Sequence, residues 1–233
     1  MWFIKKWEVV KAYFVKIKWL QKPDPEAYFE VTTRWEDGNY SVDSEKQYAI
    51  EGILTDIAVD TYQLGDWTPR DVFKMTLEDN DEKIIISNSF TSVGRGILNS
   101  LLNIERYGRI KVSLYTFEKN GKVSKGATVH NNGEKAARKH SRDGLSPLVE
   151  PIMHKGSVIG NDYTALDTFF KNSIKETIKV RIDKSLNEPA DFPEDIFDAP
   201  SMGWFKEKVI TQNTVVPNMK LTSSDVDTDD LPF

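Results

Sequence analysis

The chain of 233 residues contains no cysteine and only three histidines. The absence of cysteine excludes disulfides, thiolate metal sites and cysteine nucleophiles, and a reducing compartment favours such a composition. His130, His140 and His154 do not have the spacing of metal ligands. We therefore expect no metal site, no cofactor and a cytoplasmic location.

The sequence also lacks a long hydrophobic run. In its first 20 residues, MWFIKKWEVVKAYFVKIKWL, five lysines and one glutamate interrupt the apolar positions. A membrane-spanning helix needs about 20 nearly uncharged residues, so we expect no membrane partner. Val15, Ile17 and Trp19 alternate with lysines, which favours an added strand or arm over a helix lying on a membrane surface.

Motifs of catalysis are missing as well. Glycine and lysine occur together in NGKVSKGA, but without the spacing of a phosphate-binding Walker A loop. Asp225, Asp227 and Asp229 imitate the opening of a calcium loop, yet Asp230 stands at the sixth position, where such a loop needs glycine. These absences predict that the protein is not an enzyme.

Charge is distributed very unevenly along the chain. The net charge is −5, and the hydrophobic content of 39% is sufficient for a folded core. Residues 185–233 hold three lysines and ten acidic residues, whereas residues 106–142 hold ten basic residues and two acidic ones. Because local fields rather than overall charge steer polyanions, this pattern indicates a basic binding body with an acidic tail.

The periodicity predicts a mainly β protein. Strands are expected at 48–59, 71–79, 83–89, 109–119 and 122–129, with a helix capped by Thr91 or Ser92 between the third and fourth and ended by Gly108. Asn120-Gly121 is a strong hairpin signal. This element order is that of an OB-fold, a five-stranded Greek-key barrel with one helix after its third strand.

Three regions follow from this pattern. Residues 1–46 are predicted to form an N-terminal arm with extra strands, in which Asp37-Gly38 is expected to form a turn. Residues 47–184 form the OB domain, including an amphipathic helix at 162–182 that packs on the domain or on a partner. Residues 185–233 form an acidic, largely disordered tail.

Strand 109–119 carries the sharpest functional pattern. Ile110, Val112 and Leu114 are expected to point into the barrel, so that Arg109, Lys111, Ser113, Tyr115 and Phe117 share the outer face. Cations and flat aromatic rings on one surface suit single-stranded nucleic acid, since each stacked base contributes about 1–3 kcal/mol. The alternative is that the arm or the helix at 162–182 covers Tyr115 and Phe117.

Further residues are predicted to extend this surface. The loop at 59–71 offers stacking and phosphate-binding side chains, although a loop tryptophan can equally be a packing anchor. The segment 130–142 is either a basic flap or an ordinary solvated loop. The additional candidates are Tyr62, Trp67, Arg70, Lys74, Lys122 and Lys125.

The sequence ends in SSDVDTDDLPF. With its predicted OB barrel, the chain resembles bacterial and bacteriophage single-stranded DNA-binding proteins, whose tails end in several aspartates followed by an aliphatic residue, proline and phenylalanine. Asp229, Asp230, Leu231, Pro232 and Phe233 match that tip. The resemblance of residues 47–130 is architectural, and the missing Gly/Gln/Pro-rich linker favours a divergent phage-type member.

The resemblance implies a protein that coats and protects single-stranded DNA during replication, recombination and repair, in the bacterial host cytoplasm for a phage protein. It also implies that the tail recruits replication and recombination proteins. Phe233 would enter an apolar pocket, Leu231 and Pro232 would belong to the same tip, and a basic rim would bind the acids. Those acids are Asp225, Asp227, Asp229 and Asp230.

Other functions stay open at this point. An RNA-binding OB protein would use the same stacking and phosphate contacts. A protein-interaction module could use the basic face for docking and the tail for solubility. A strand-annealing accessory protein is a third alternative, and the assembly could be a monomer or a homo-oligomer.

Overall fold

A computed structural model describes residues 12–20, 25–34, 45–63, 66, 68–80, 82–119 and 122–188. Within these residues the protein is mainly β, as the sequence predicts. The strands are β1 (Ala12–Leu20), β2 (Glu26–Arg34), β3 (Glu45–Gln47), β4 (Ala49–Tyr62), β5 (Arg70–Asp79), β6 (Glu82–Ser89), β7 (Arg109–Lys119), β8 (Lys122–Asn131), β9 (Glu134–Lys135), β10 (Glu150–His154) and β11 (Ser157–Asp162). The helices are α1 (Ser92–Asn103), α2 (Arg142–Leu145), α3 (Thr164–Ser173) and α4 (Lys179–Asn187).

Nine of these strands form one mixed sheet in the order β3-β2-β1-β6-β5-β4-β7-β8-β9. All neighbours pair antiparallel except β1 and β6, which are parallel. The predicted succession of three strands, a helix and two strands is confirmed in β4 to β8. The predicted closed five-stranded barrel is not confirmed, because the sheet is larger and does not close among the residues described.

The N-terminal strand belongs to the sheet and shares its core. Tyr13 and Val15 are buried beside Ile84 and Ile86 of β6, while Lys16 is exposed on the opposite face. The predicted alternation is therefore confirmed, and the apolar side of β1 packs in the core beside that of β6. The predicted turn at Asp37-Gly38 lies outside the described residues.

Helix α1 begins where the sequence predicts and ends earlier. The Thr91 hydroxyl accepts a hydrogen bond from the Gly94 amide, which caps the first turn. A Cβ at Gly94 would lie 2.3 Å from the Ser89 carbonyl oxygen, so the helix can approach β6 only with glycine here. The helix stops at Asn103 rather than at Gly108, because Ile104 adopts an extended conformation.

The predicted helix at 162–182 forms and packs on the body. It runs as α3, a π turn at Ile174–Ile178 and α4, so that it continues to Asn187, three residues into the predicted tail. The π turn and α4 lie against β4. One apolar face is buried, and Phe169 beside it is only partly buried. The buried residues are Leu166, Phe170, Ile174, Ile178 and Ile182.

An ion pair fixes α3 to α1. Arg95 is only 7% exposed, and its Nε lies 2.8 Å from Oδ1 of Asp167. The guanidinium also lies 4.2 Å from the centre of the Tyr163 ring. Because a buried cation without partners would be costly, these contacts define how the helices dock.

A second sheet, which the sequence analysis did not predict, consists of the hairpin β10-β11. Its strands are almost entirely exposed, and Val158 and Ile159 are 61% and 65% exposed.

Among the described residues, no helix is long and apolar enough to cross a membrane.

The buried side of β2 gives a test of this arrangement. Phe29 is fully buried, so Phe29→Ala should lower the free energy of unfolding by about 3–5 kcal/mol. Lys16→Ala, an exposed substitution on β1, should change it by less than about 0.5 kcal/mol. Urea denaturation measures both, and similar small effects would contradict a core shared by the N-terminal strands.

Candidate nucleic-acid interface

Strand β7 separates two chemically different faces, as predicted. Ile110 and Val112 are fully buried and Leu114 nearly so. Arg109, Lys111, Ser113, Tyr115 and Phe117 alternate with them and are exposed or half-buried. We call the face that they share the outward face. It continues onto β8, because the two strands pair in register from Ile110 to Lys119.

The two aromatic residues of this face differ in their surroundings. Tyr115 lies opposite Gly126, and a Cβ on that glycine would be 2.4 Å from Cζ of the tyrosine ring. The ring therefore occupies the space left by the missing side chain. The centre of the Phe117 ring is 5.9 Å away, at a tilt of 40°, opposite Ser124. Together the rings form a short apolar step that a base could extend.

Arg109 is held by two carboxylates. Its Nε lies 2.9 Å from Oε1 of Glu51, and its Nη2 lies 2.9 Å from Oδ1 of Asp79. Burial acts to lower the pKa of Arg109, but the hydrogen bonds and charges of Asp79 and Glu51 outweigh it and raise the pKa. This predicted phosphate-binding residue therefore also joins β7 to β4 and to the end of β5.

Three further predicted residues lie on the outward face of β4 and β5. Tyr62 is paired with Arg70 and both are exposed at the end of the strands, while Lys74 pairs in register with Ala58. The Lys74 ammonium forms an ion pair with Asp60, which offsets its charge. The predicted residue Trp67 lies outside the described residues.

Lys122 and Lys125, both predicted to bind DNA, point to opposite faces of β8. Lys122 is exposed and is paired with Lys119, in line with the outward positions of β7. Lys125 pairs with Thr116 on the inward face, where its Nζ lies 5.5 Å from the centre of the Trp19 ring. Burial lowers the pKa of Lys125. Lys125 therefore packs against the N-terminal hairpin.

Part of the basic segment 130–142 is anchored to α1. Asn132 and Gly133 have φ of 51° and 85°, the conformation of a two-residue hairpin turn, which leads into β9. The Asn99 amide then donates to the His140 carbonyl and accepts from the His140 amide, at 2.8 and 2.9 Å. These bonds fix the segment beside α1 and close to the end of the outward face.

Sequence reasoning missed several titratable residues of this surface. Glu51 and Asp79 hold Arg109, while His130 and Lys135 continue the outward face beyond Lys111. The predicted turn at Asn120-Gly121 lies outside the described residues, but it was a usable signal. A two-residue turn there would pair residue 111 with residue 130, and the register has Lys111 opposite His130.

The described part of the chain contains no cluster of three or more metal-ligating side chains. The predicted tail residues lie outside the described part of the chain; they are Asp225, Asp227, Asp229, Asp230, Leu231, Pro232 and Phe233.

No family model, curated protein or solved structure matches the chain.

The contact between Tyr115 and Gly126 can be tested by a double-mutant cycle. Gly126→Ala should cost about 1–3 kcal/mol of unfolding free energy, since the new methyl group displaces the ring. In a Tyr115→Ala background the same substitution should cost clearly less. Ser124→Ala, on the same strand and face, is the control for thermal or urea unfolding. Equal costs in both backgrounds would show that the ring does not occupy this space.

Proposed function

We propose that this protein binds single-stranded DNA along the outward face of β7 and β8. The observation that carries the proposal is the combination on one face of Tyr115 and Phe117, whose ring centres are 5.9 Å apart, with the exposed Lys111 and Lys122. Flat rings stack on any base, while ammonium groups bind the phosphates between bases. Coating of exposed strands without sequence preference follows from such contacts.

The strand order supports an OB-type architecture for the central part of the sheet. The strands β6-β5-β4-β7-β8 have the order of an OB barrel that has been opened between its third and fifth strands. Here β1 pairs parallel with β6 at that opening. We propose that the five strands are an OB sheet extended by the N-terminal hairpin, with β7 and β8 as its fourth and fifth strands.

The charges of this face assign different roles to its cations. Arg109 is half-buried between Glu51 and Asp79, so it positions β7 and contributes little free charge. Lys111 Nζ lies 3.9 Å from the nearest Glu51 oxygen, and its side chain is 45% exposed, which leaves it available to a phosphate. Each phosphate contact that forms should contribute about 0.7 to the log–log dependence of affinity on salt.

The end of the acidic tail, residues 223–233, is proposed to act on proteins rather than on DNA. Its four aspartates would be repelled by phosphates, and they are followed by Leu231, Pro232 and Phe233, which offer an apolar anchor. Pro232 limits the conformational freedom that the segment loses on binding. The proposed partners are replication and recombination proteins with an apolar pocket bordered by cations.

Phe117 provides the sharpest test of DNA binding. Phe117→Ala should weaken oligo-dT binding by about 1–3 kcal/mol, or roughly 5- to 150-fold, because one stacking platform is lost. Fluorescence anisotropy at fixed salt measures this change. Phe117 is preferable to Tyr115, whose truncation also uncovers Gly126.

Val123→Ala is the matched control for Phe117→Ala. Val123 is an exposed apolar residue of the same hairpin, and it pairs with Glu118 on the other face. The Val123→Ala substitution should leave the affinity for oligo-dT unchanged. If both variants bind oligo-dT as the unsubstituted protein does, the outward face is not the DNA-binding surface. Tighter binding of oligo-U than of oligo-dT would favour the RNA-binding alternative instead.

The end of the acidic tail gives a separate prediction. Deletion of residues 223–233 should leave oligo-dT affinity unchanged or raised, because negative charges are removed. Deletion of Phe233 alone should leave DNA affinity unchanged and reduce the retention of replication and recombination proteins on oligo-dT beads coated with the protein. A large loss of DNA affinity on either deletion would contradict the separation of roles.

The exposed hairpin β10-β11 favours a second candidate function, that of a protein-interaction module. Its Ile152, Met153, Val158 and Ile159 are all 45% or more exposed. If interaction with proteins is the sole function, the unsubstituted protein should not bind oligo-dT even at low salt. The same anisotropy measurement therefore separates the two functions.

A further inference from the structure

Three basic side chains lie in a row across the edge of the outward face. In the sheet register, Lys111 of β7 is opposite His130 of β8, and His130 is opposite Lys135 of β9. On the other side of Lys111 the row ends at Glu51 of β4. Neighbouring strands are about 4.8 Å apart, so the three basic residues span roughly 10 Å. We call Lys111, His130 and Lys135 the basic row.

The basic row brings three basic side chains onto one line of the outward face. Glu51 stands at the end of this line, where its Oε1 is bound by Arg109 at 2.9 Å and its Oε2 lies 3.9 Å from Nζ of Lys111. Basic side chains gathered on an outward-facing line raise the local positive potential, which favours the binding of an anion.

His130 occupies the middle of this row in an unusual environment. Its Nδ1 is buried and has no hydrogen-bond partner among the described residues. Burial lowers the pKa of His130, the charges of Lys111 and Lys135 lower it further, and Glu51 opposes them. Arg109, two positions from Lys111 on the same face, is neutralised by Asp79 and Glu51. Burial and the two lysines therefore disfavour the charged form of His130 in the free protein.

We propose that the basic row binds a phosphate of the DNA backbone, and that His130 takes up a proton when the phosphate binds. The proposal depends on the DNA-binding function and specifies how the strand leaves the stacking surface: bases lie on Tyr115 and Phe117, and the backbone crosses from β7 to β9. The phosphate offsets the repulsion between the lysines and His130, and so makes the charged imidazole favourable.

The sign of the pH dependence follows from linkage. A negative phosphate beside His130 raises the pKa of the imidazole in the complex relative to the free protein. Affinity must therefore increase as the pH falls through the interval between the two pKa values. Above the pKa of the complex and below that of the free protein, affinity should not depend on this group. The total gain is about tenfold for each unit by which the two pKa values differ.

The experiment is an oligo-dT binding titration between pH 5 and 8.5 at fixed salt, without phosphate in the buffer. The unsubstituted full chain should bind several-fold more tightly at the acidic end. His130→Gln should abolish this dependence. His140→Gln and His154→Gln are the matched controls and should keep it, since His140 lies beside Phe169 and His154 is on the exposed hairpin.

Histidine NMR titrations provide a readout that does not depend on affinity. With three histidines, each single substitution assigns one signal. The His130 pKa should be below 6.5 in the free protein and should rise when oligo-dT is added. Lys111→Gln and Lys135→Gln should each raise the His130 pKa in the free protein. Each should also reduce the log–log salt dependence of oligo-dT affinity by about 0.7. Lys155→Gln, at the tip of the exposed hairpin, should do neither.

The outcomes separate this inference from the function on which it depends. If oligo-dT does not bind at any pH, the proposed function is wrong and the inference falls with it. If oligo-dT binds but the His130 pKa does not move, or His130→Gln keeps the pH dependence, only the inference is overturned. If inorganic phosphate alone raises the His130 pKa as much as oligo-dT does, the row is a small-anion site and not a contact to the strand.

Discussion

The register between β7 and β8 is the constraint on which both the core and the candidate site depend. One strand supplies Ile110 and Val112 to the interior and Lys111, Tyr115 and Phe117 to the surface. A shift by a single residue would exchange the two sets and bury cations in place of aliphatic side chains. The stability of the core therefore fixes which residues lie on the outward face.

Much of this local arrangement follows from the sequence. The alternation along β7 and the Asn120-Gly121 turn are strong short-range patterns, because apolar burial and positive φ each restrict the chain to few conformations. A two-residue turn pairs residue 111 with residue 130 and residue 115 with residue 126, as the sheet has them. The positions of His130 and Gly126 opposite Lys111 and Tyr115 are thus predictable from the turn alone.

Other features could not be obtained in this way, because periodicity identifies a strand and not its partner. The pattern of β1 predicts one buried face, yet nothing in it selects parallel pairing with β6. The carboxylates that hold Arg109 are 58 and 30 residues away in sequence. Lys125 resembles the other basic residues of β8, and only its register with Thr116 places it on the inward face. Each depends on contacts between distant parts of the chain.

The parallel pairing of β1 with β6 has a consequence for how the protein is made. Ala12 meets Lys83, so the first strand has to wait until 71 further residues have been added before its partner exists. At about 5–20 residues per second this interval is roughly 4 to 14 s. During that time Val15 and Phe29, in the hairpin of β1 and β2, lack the rest of the sheet that later covers them. The pairing of β1 with β6 therefore joins the beginning of the chain to a strand that is made well after it.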